Sequence, residues 1–150
     1  MSTNFYDLQT AVSSVLGANI SGVSVRLNRT VESQEAMPSV VIKQPRFELK
    51  QELIGGSQYH QMVWLVPLEC YAWGQDEDAA ASAVGALVSS VTNALRTQAN
   101  RQLNIGSTVE MTQIVEGGFL DRNVGEAGRG SVGLIAGFGL VLAVTTSEGA

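Results

Sequence analysis

The sequence contains few residues that could perform nucleophilic chemistry. His60 is the only histidine and Cys70 the only cysteine, so a Ser-His-Asp or Cys-His site would have to use one of them. His60 falls on a predicted hairpin strand, and the chain has no Gly-x-Ser-x-Gly turn to present a nucleophilic serine. Cys70 falls on the apolar side of a predicted strand, where cysteine usually acts as a small buried hydrophobic residue. We therefore expect no catalytic residues and predict that the protein is not an enzyme.

An acidic run and a glycine-rich run are the other candidates for a binding site. Asp76, Glu77 and Asp78 lack the alternating ligands and central glycine of a calcium loop, and are instead typical of a helix start. Segment 128–133 (GRGSVG) matches the Gly-x-Gly-x-x-Gly fingerprint of dinucleotide sites. The fingerprint requires a following helix, but a strand is predicted there, so we interpret the match as accidental. We expect no metal ion and no cofactor.

The composition is that of one folded domain. The chain has 150 residues, of which 45% are hydrophobic and 15% charged, enough to form a single core. We predict one α+β domain over residues 1–150, with a mobile tail at about 147–150. A net charge of −5 with scattered Lys and Arg excludes non-specific nucleic-acid binding. The sequence has no signal-peptide pattern and no apolar stretch long enough for a membrane helix, so synthesis in the cytoplasm is expected.

Two segments have the apolar spacing of helices. The first begins at Phe5, with Gly17 expected just beyond its C-terminus. The second runs over about 76–98, with acids in its first turn and Arg96 in its last. Its apolar stripe consists of Ala80, Ala83, Val84, Leu87, Val88, Val91 and Leu95.

The remaining apolar segments alternate as strands do. We predict strands at 23–27 and from 39, then two long strands joined at Gly55-Gly56 as an extended hairpin over 46–73. Two further strands follow, near 109–114 and 131–146, separated by a flexible loop at 116–130. If the segment from 39 to the Gly55-Gly56 turn is counted as one strand interrupted at Pro45, the order is α-β-β-β-α-β-β. It favours a mixed, mainly antiparallel sheet with two helices packed on one face and a long projecting hairpin.

The hairpin at 46–64 and the loop at 117–130 are the predicted contact surfaces. Long connections in compact domains usually have a function, and alternating charges suit ion pairs with a partner. The alternative is that both are solvent-exposed without a partner. The residues expected to contact a partner or another subunit are Arg46, Glu48, Lys50, Glu52, Asp121, Arg122 and Arg129.

Several of these elements together resemble a known family. They are an N-terminal helix, a PSVVI segment at 38–42, and a strand ending LECYAWG at 68–74. That strand leads directly into DEDAAA at 76–81 and a long helix, and an apolar strand comes last. The arrangement resembles the tail terminator and tail-completion (neck) proteins of long-tailed bacteriophages.

The resemblance implies a structural protein of the virion. Members of that family are small α+β proteins that form a ring, typically of six copies, which caps the tail tube, stops its growth and joins the tail to the head. The implied partners are further copies of the chain, the tail tube protein and a head-side connector or neck protein, with no membrane. Genomic DNA would pass through the lumen without specific binding, and an acidic lumen would not retain it.

Three alternatives remain open from the residues alone. The chain could be a neighbouring head-completion or connector protein. It could be a small-ligand-binding or enzymatic α+β domain, which would require a pocket with convergent polar groups. It could also be an adaptor that pairs through a sheet edge.

Overall fold

A computed structural model of the chain describes residues 5–28, 38–50, 59–97, 109–119, 124–126 and 134–149. These residues form two helices and seven strands. In chain order they are α1 (Phe5–Asn19), β1 (Ser24–Leu27), β2 (Ser39–Ile42), β3 (Arg46–Lys50), β4 (Tyr59–Gly74), α2 (Glu77–Arg96), β5 (Val109–Phe119), β6 (Val124–Glu126) and β7 (Leu134–Gly149).

All seven strands belong to one sheet, which is built around β4 and β7. The main path is β1-β2-β4-β7-β5, while β3 pairs with β4 and β6 pairs with β7. β1 and β2 are parallel, and the other pairings are antiparallel. The predicted α+β class with a mixed, mainly antiparallel sheet is confirmed.

Both helices cover the same face of the sheet. Alternate residues of a strand point to opposite faces, and every second residue of β4 from Trp64 to Ala72 belongs to the core that includes α1 and α2. We call this the helix face. The apolar side chains of the helices and of the strands pack against each other on this face. This packing explains why apolar residues recur in the sequence with the spacing of helices and strands. Its fully buried positions include Leu8, Val12, Leu16, Val40, Ile42, Val66, Leu68, Val84, Val91, Leu142 and Val144.

The junction between β4 and α2 is tightly fixed. Asp76 caps the helix by accepting a hydrogen bond of 2.7 Å from the backbone N–H of Ala79, which satisfies one of the unpaired donors of the first turn. A Cβ atom on Gly74 would overlap the backbone of Ala79 and Ala80. Glycine is therefore required for β4 to enter the helix with this close approach.

The edge of β4 carries two short strands instead of one long one. β2 pairs with Leu68–Tyr71 and β3 with Gln61–Leu65, so the break between them lies beside Pro67, which has no N–H to donate. The Pro67 carbonyl still accepts a hydrogen bond of 2.9 Å from Lys43 N–H. Four strands therefore precede α2, one more than in the order predicted from the sequence.

The hairpin does not project as an isolated pair of strands. β7 lies along the other side of β4 over its whole length, from Gly74 opposite Leu134 to Tyr59 opposite Gly149. The hairpin is therefore part of a wider sheet. Its tip, residues 51–58, lies outside the described residues.

Three boundary predictions differ from the structure. The loop predicted at 116–130 is wrong for Glu116–Phe119, which continue β5, and for Val124–Glu126, which form β6, because both segments pair with β7. The tail expected to be mobile from residue 147 is part of β7 as far as Gly149. Gly17 lies inside α1 and does not end it.

Candidate functional site

The predicted contact residues lie on the hairpin and in segments outside the described part. In the register of β3, Arg46, Glu48 and Lys50 stand opposite Leu65, Val63 and Gln61 of β4, and Arg46 is exposed. The other predicted contact residues lie outside the described residues. They are Glu52, Asp121, Arg122 and Arg129.

The face of the sheet opposite the helices presents an apolar surface, which we call the open face. It consists of Val63, Leu65, Pro67, Val141 and Ala143, adjacent residues of β4 and β7 that are each half-buried. Both helices pack on the opposite side. Partly exposed aliphatic side chains clustered in this way can contribute to a surface that another protein covers.

The open face ends at a salt bridge. Lys43 Nζ lies 3.4 Å from Glu69 Oε1, and both side chains are partly exposed, so the pair contributes little to stability. Beyond it, Ser39, Val41, Tyr71 and Ile135 of the same face are buried. The apolar surface is therefore confined to the half of the sheet nearer the hairpin.

The edge of the sheet at β5 is a second exposed surface. Gln113, Val115, Gly117 and Gly118 are exposed, and Val115 retains 51% of its accessible surface. Two register shifts interrupt the pairing of β5 with β7. Such irregularities discourage unwanted pairing along an edge.

A pocket of about 390 Å³ lies between α2 and the ends of the strands. Its walls are mostly apolar, and the hydroxyls of Ser21 and Ser90 supply polar groups. The Ser90 hydroxyl is 3.1 Å from the carbonyl of Ala86, its acceptor within the helix. The remaining lining residues are Ile20, Val23, Pro38, Ala72, Trp73, Ala83, Ala86 and Leu87.

One residue that lines this pocket, Trp73, has an unusual indole environment. Among the described residues, its indole Nε1–H is buried and has no hydrogen-bond partner. A buried donor without a partner is costly. The pocket can hold a small apolar ligand, or an apolar side chain of a partner, with few directed polar contacts.

The residues considered for catalysis are not brought together as a site. Burial raises the pKa of the Cys70 thiol to about 12, which suppresses the reactive thiolate. The backbone of His60 pairs with that of Glu148. Within the described ranges, no three His, Cys, Asp or Glu side chains form a group that could hold a metal ion. In that same part of the chain, neither helix is long and apolar enough to cross a membrane.

The sequence patterns did not single out Gln9, which is a buried polar residue at the helix face. It has no exposed surface, and its Nε2 donates to Asn28 Oδ1 at 2.8 Å and to the Ile42 carbonyl at 3.3 Å. The helical spacing could have revealed Gln9 as a buried residue, because it falls three residues before Val12 on the apolar side of α1. A polar residue inside an apolar stripe indicates a buried hydrogen bond.

Comparisons with known proteins do not place the chain in a family. No protein-family model matches the sequence, and no curated protein matches it.

Proposed function

We propose that this protein is a tail terminator of a long-tailed bacteriophage, a structural subunit that forms a ring of six copies on the end of the tail tube. The α+β fold, with two helices on one face of a mainly antiparallel sheet, agrees with what the sequence resemblance implies. In this proposal the partners are further copies of the chain, the tail tube protein and a head-side neck protein. The site of action is the virion.

The open face is the observation that carries the proposal. Val63, Leu65 and Pro67 are partly exposed aliphatic residues on a central strand. Binding of a partner that removes their exposed surface from water is favourable. The charged β3 strand lies along the same edge of β4. An apolar patch with a charged border has the composition of a protein–protein interface.

The test is the mass of the purified protein in solution, measured by light scattering over a range of concentrations. A ring predicts a mass that rises toward a hexamer. The double variant Glu48→Lys with Glu52→Lys reverses two charges of the hairpin, and we expect it to weaken the ring at least tenfold (about 1.4 kcal/mol).

A matched control separates the contact from the change in net charge. Asp7→Lys with Thr10→Lys and Ser14→Lys changes the net charge by the same amount, but at exposed positions of α1. It should leave the assembly intact. If the hairpin variant and this control both assemble as the wild type does, the hairpin is not the interface. If the wild type is a monomer with and without a tail tube protein, the ring itself is excluded.

The pocket favours a second candidate function, the binding of a small apolar ligand. Its volume of about 390 Å³ is in the range of ligand sites. A thermal-shift screen of small apolar compounds tests it, with Ala86→Phe as the variant that fills the pocket. Compounds that raise Tm of the wild type but not of Ala86→Phe would support ligand binding.

A further inference from the structure

The solvent side of α2 carries six residues that form one straight stripe, which we call the α2 stripe. They follow each other at alternating intervals of four and three residues, the spacing of one helix face. The stripe lies opposite the buried side, which includes Val84, Leu87 and Val91. Five of its residues are exposed and Thr92 is half-buried. The α2 stripe consists of Asp78, Ser82, Gly85, Ser89, Thr92 and Arg96.

The α2 stripe is complementary to itself when reversed. Its positions are symmetric about residue 87, so an antiparallel second copy aligned there brings Asp78 opposite Arg96 at both ends. Ser82 then faces Thr92, and Gly85 faces Ser89. A two-fold axis generates each of these pairs twice.

The charges favour this arrangement over other contacts between two copies. The chain carries a net charge of −5, so two copies repel each other in general. The α2 stripe has one acid and one base, at opposite ends. An antiparallel pair places the acidic first turn of each helix, with Glu77 and Asp78, against the Arg96 turn of the other, and it also opposes the two helix dipoles.

The centre of the stripe allows the two helices to approach closely. Gly85 is inside a helix, where glycine is less stable than alanine, and a Cβ atom there would meet nothing within 4 Å in the monomer. The monomer therefore gives no steric reason for a glycine. Small residues at the crossing bring helix axes to about 8 Å, the lower end of the usual range.

We propose that two copies of this protein pair through their α2 stripes, antiparallel and two-fold symmetric. This contact does not rest on the proposed ring, because a closed ring uses a head-to-tail contact and the stripe gives a symmetric one. If both contacts form, rings or their subunits associate in pairs through α2. The pairs are weak, since small side chains bury little area.

The decisive variant is Gly85→Leu, compared with Gly17→Leu in α1. Both glycines are exposed helix residues with open space around the added side chain, so both substitutions should preserve the fold, and at low concentration should leave Tm unchanged or raise it by about 3 °C. Sedimentation equilibrium should show the mass halved for Gly85→Leu and unchanged for Gly17→Leu. Equal masses for both variants and the wild type would overturn the proposal.

Charge reversal tests the register. Asp78→Arg and Arg96→Asp should each weaken pairing about tenfold or more, and the two changes combined should restore it, because the mirrored pairs are then rebuilt with opposite sign. A double variant as weak as the single ones would contradict the antiparallel alignment. In the Glu48→Lys, Glu52→Lys variant, in which the ring is weakened, dimers should remain at high concentration, and monomers alone would exclude the contact altogether. The hairpin variants report on the ring and not on this contact, so the two proposals can fail separately.

Discussion

The two faces of β4 carry apolar residues of similar size, but they have different surroundings. Val66 and Leu68 lie under the helices with no exposed surface, whereas Val63 and Leu65, on the opposite side of the same strand, are half-buried. A sheet with one wet face normally alternates apolar with polar residues. β4 keeps aliphatic residues on both faces, which is the pattern of a strand that is covered on both sides.

The largest expected difference between the faces is in the cost of removing a leucine. Leu68→Ala should lower the free energy of unfolding by about 4 kcal/mol, because it leaves a cavity under α2. Leu65→Ala on the open face should cost about 1 kcal/mol, because solvent can occupy the space. Urea denaturation of both variants measures this. Equal losses would mean that the open face is already covered in the isolated protein.

The second prediction concerns the junction at which β4 leads into α2. Gly74→Ala should lower the free energy of unfolding by about 3 kcal/mol, because the added methyl group overlaps the backbone of Ala79 and Ala80. Gly17→Ala, in open space within α1, should instead raise it by about 1 kcal/mol. Thermal unfolding followed by circular dichroism distinguishes them by opposite shifts of Tm. A neutral Gly74→Ala variant would mean that β4 and α2 can separate at their junction.

The third prediction concerns Gln9, a buried polar residue of the helix face. Gln9→Ala removes its hydrogen bonds to Asn28 and to the Ile42 carbonyl and leaves a small cavity, so we expect a loss of about 2 kcal/mol. Gln44→Ala is the matched control, since Gln44 is exposed and should change stability by less than about 0.5 kcal/mol. Chemical denaturation of both variants provides the comparison.

At neutral pH the smallest effect is that of Cys70, which appears only at alkaline pH. Burial raises its pKa from 9.0 to about 12 in the folded protein, so the thiol is protonated in both states below pH 9. Above that pH the unfolded chain releases the proton first, and stability falls by up to about 1.4 kcal/mol per pH unit until the folded pKa is reached. Cys70→Ala should have a shallower decline between pH 9 and pH 11, and the wild-type thiol should react with a thiol reagent only after unfolding.

The sequence predicted the helix face better than the rest of the molecule. The apolar periods of α1 and α2 and the acidic start of α2 at 76–78 follow from local rules. β6 and the end of β5 were not predictable in this way, because Gly117, Gly118 and Gly125 have low strand propensity, and the segments that contain them are held in place by pairing with β7. The pocket was also hidden, since its walls come from segments far apart in the chain.

Surface properties were harder to infer than fold. Charge alternation drew attention to Arg46, Glu48 and Lys50, yet it could not show that aliphatic residues of β4, Leu65 and Val63, stand opposite Arg46 and Glu48. The apolar spacing of α2 drew attention to its buried side and not to the α2 stripe. Its symmetry becomes meaningful only when the exposure of each position is known.

The pairing of β4 with β7 also has a consequence for how the chain acquires its structure. Gly74 pairs with Leu134 and Tyr59 with Gly149, so the central ladder joins residues that are distant in sequence, which is typical of slow folding. On the ribosome, residues 59–74 emerge well before β7, the strand with which they pair, has been synthesised. Until then the edge of β4 that pairs with β7 offers unpaired backbone, and the strand offers apolar side chains, to other chains. Nascent chains made on one message would therefore be at risk of joining each other, and chaperones that bind extended apolar segments should protect this interval of synthesis.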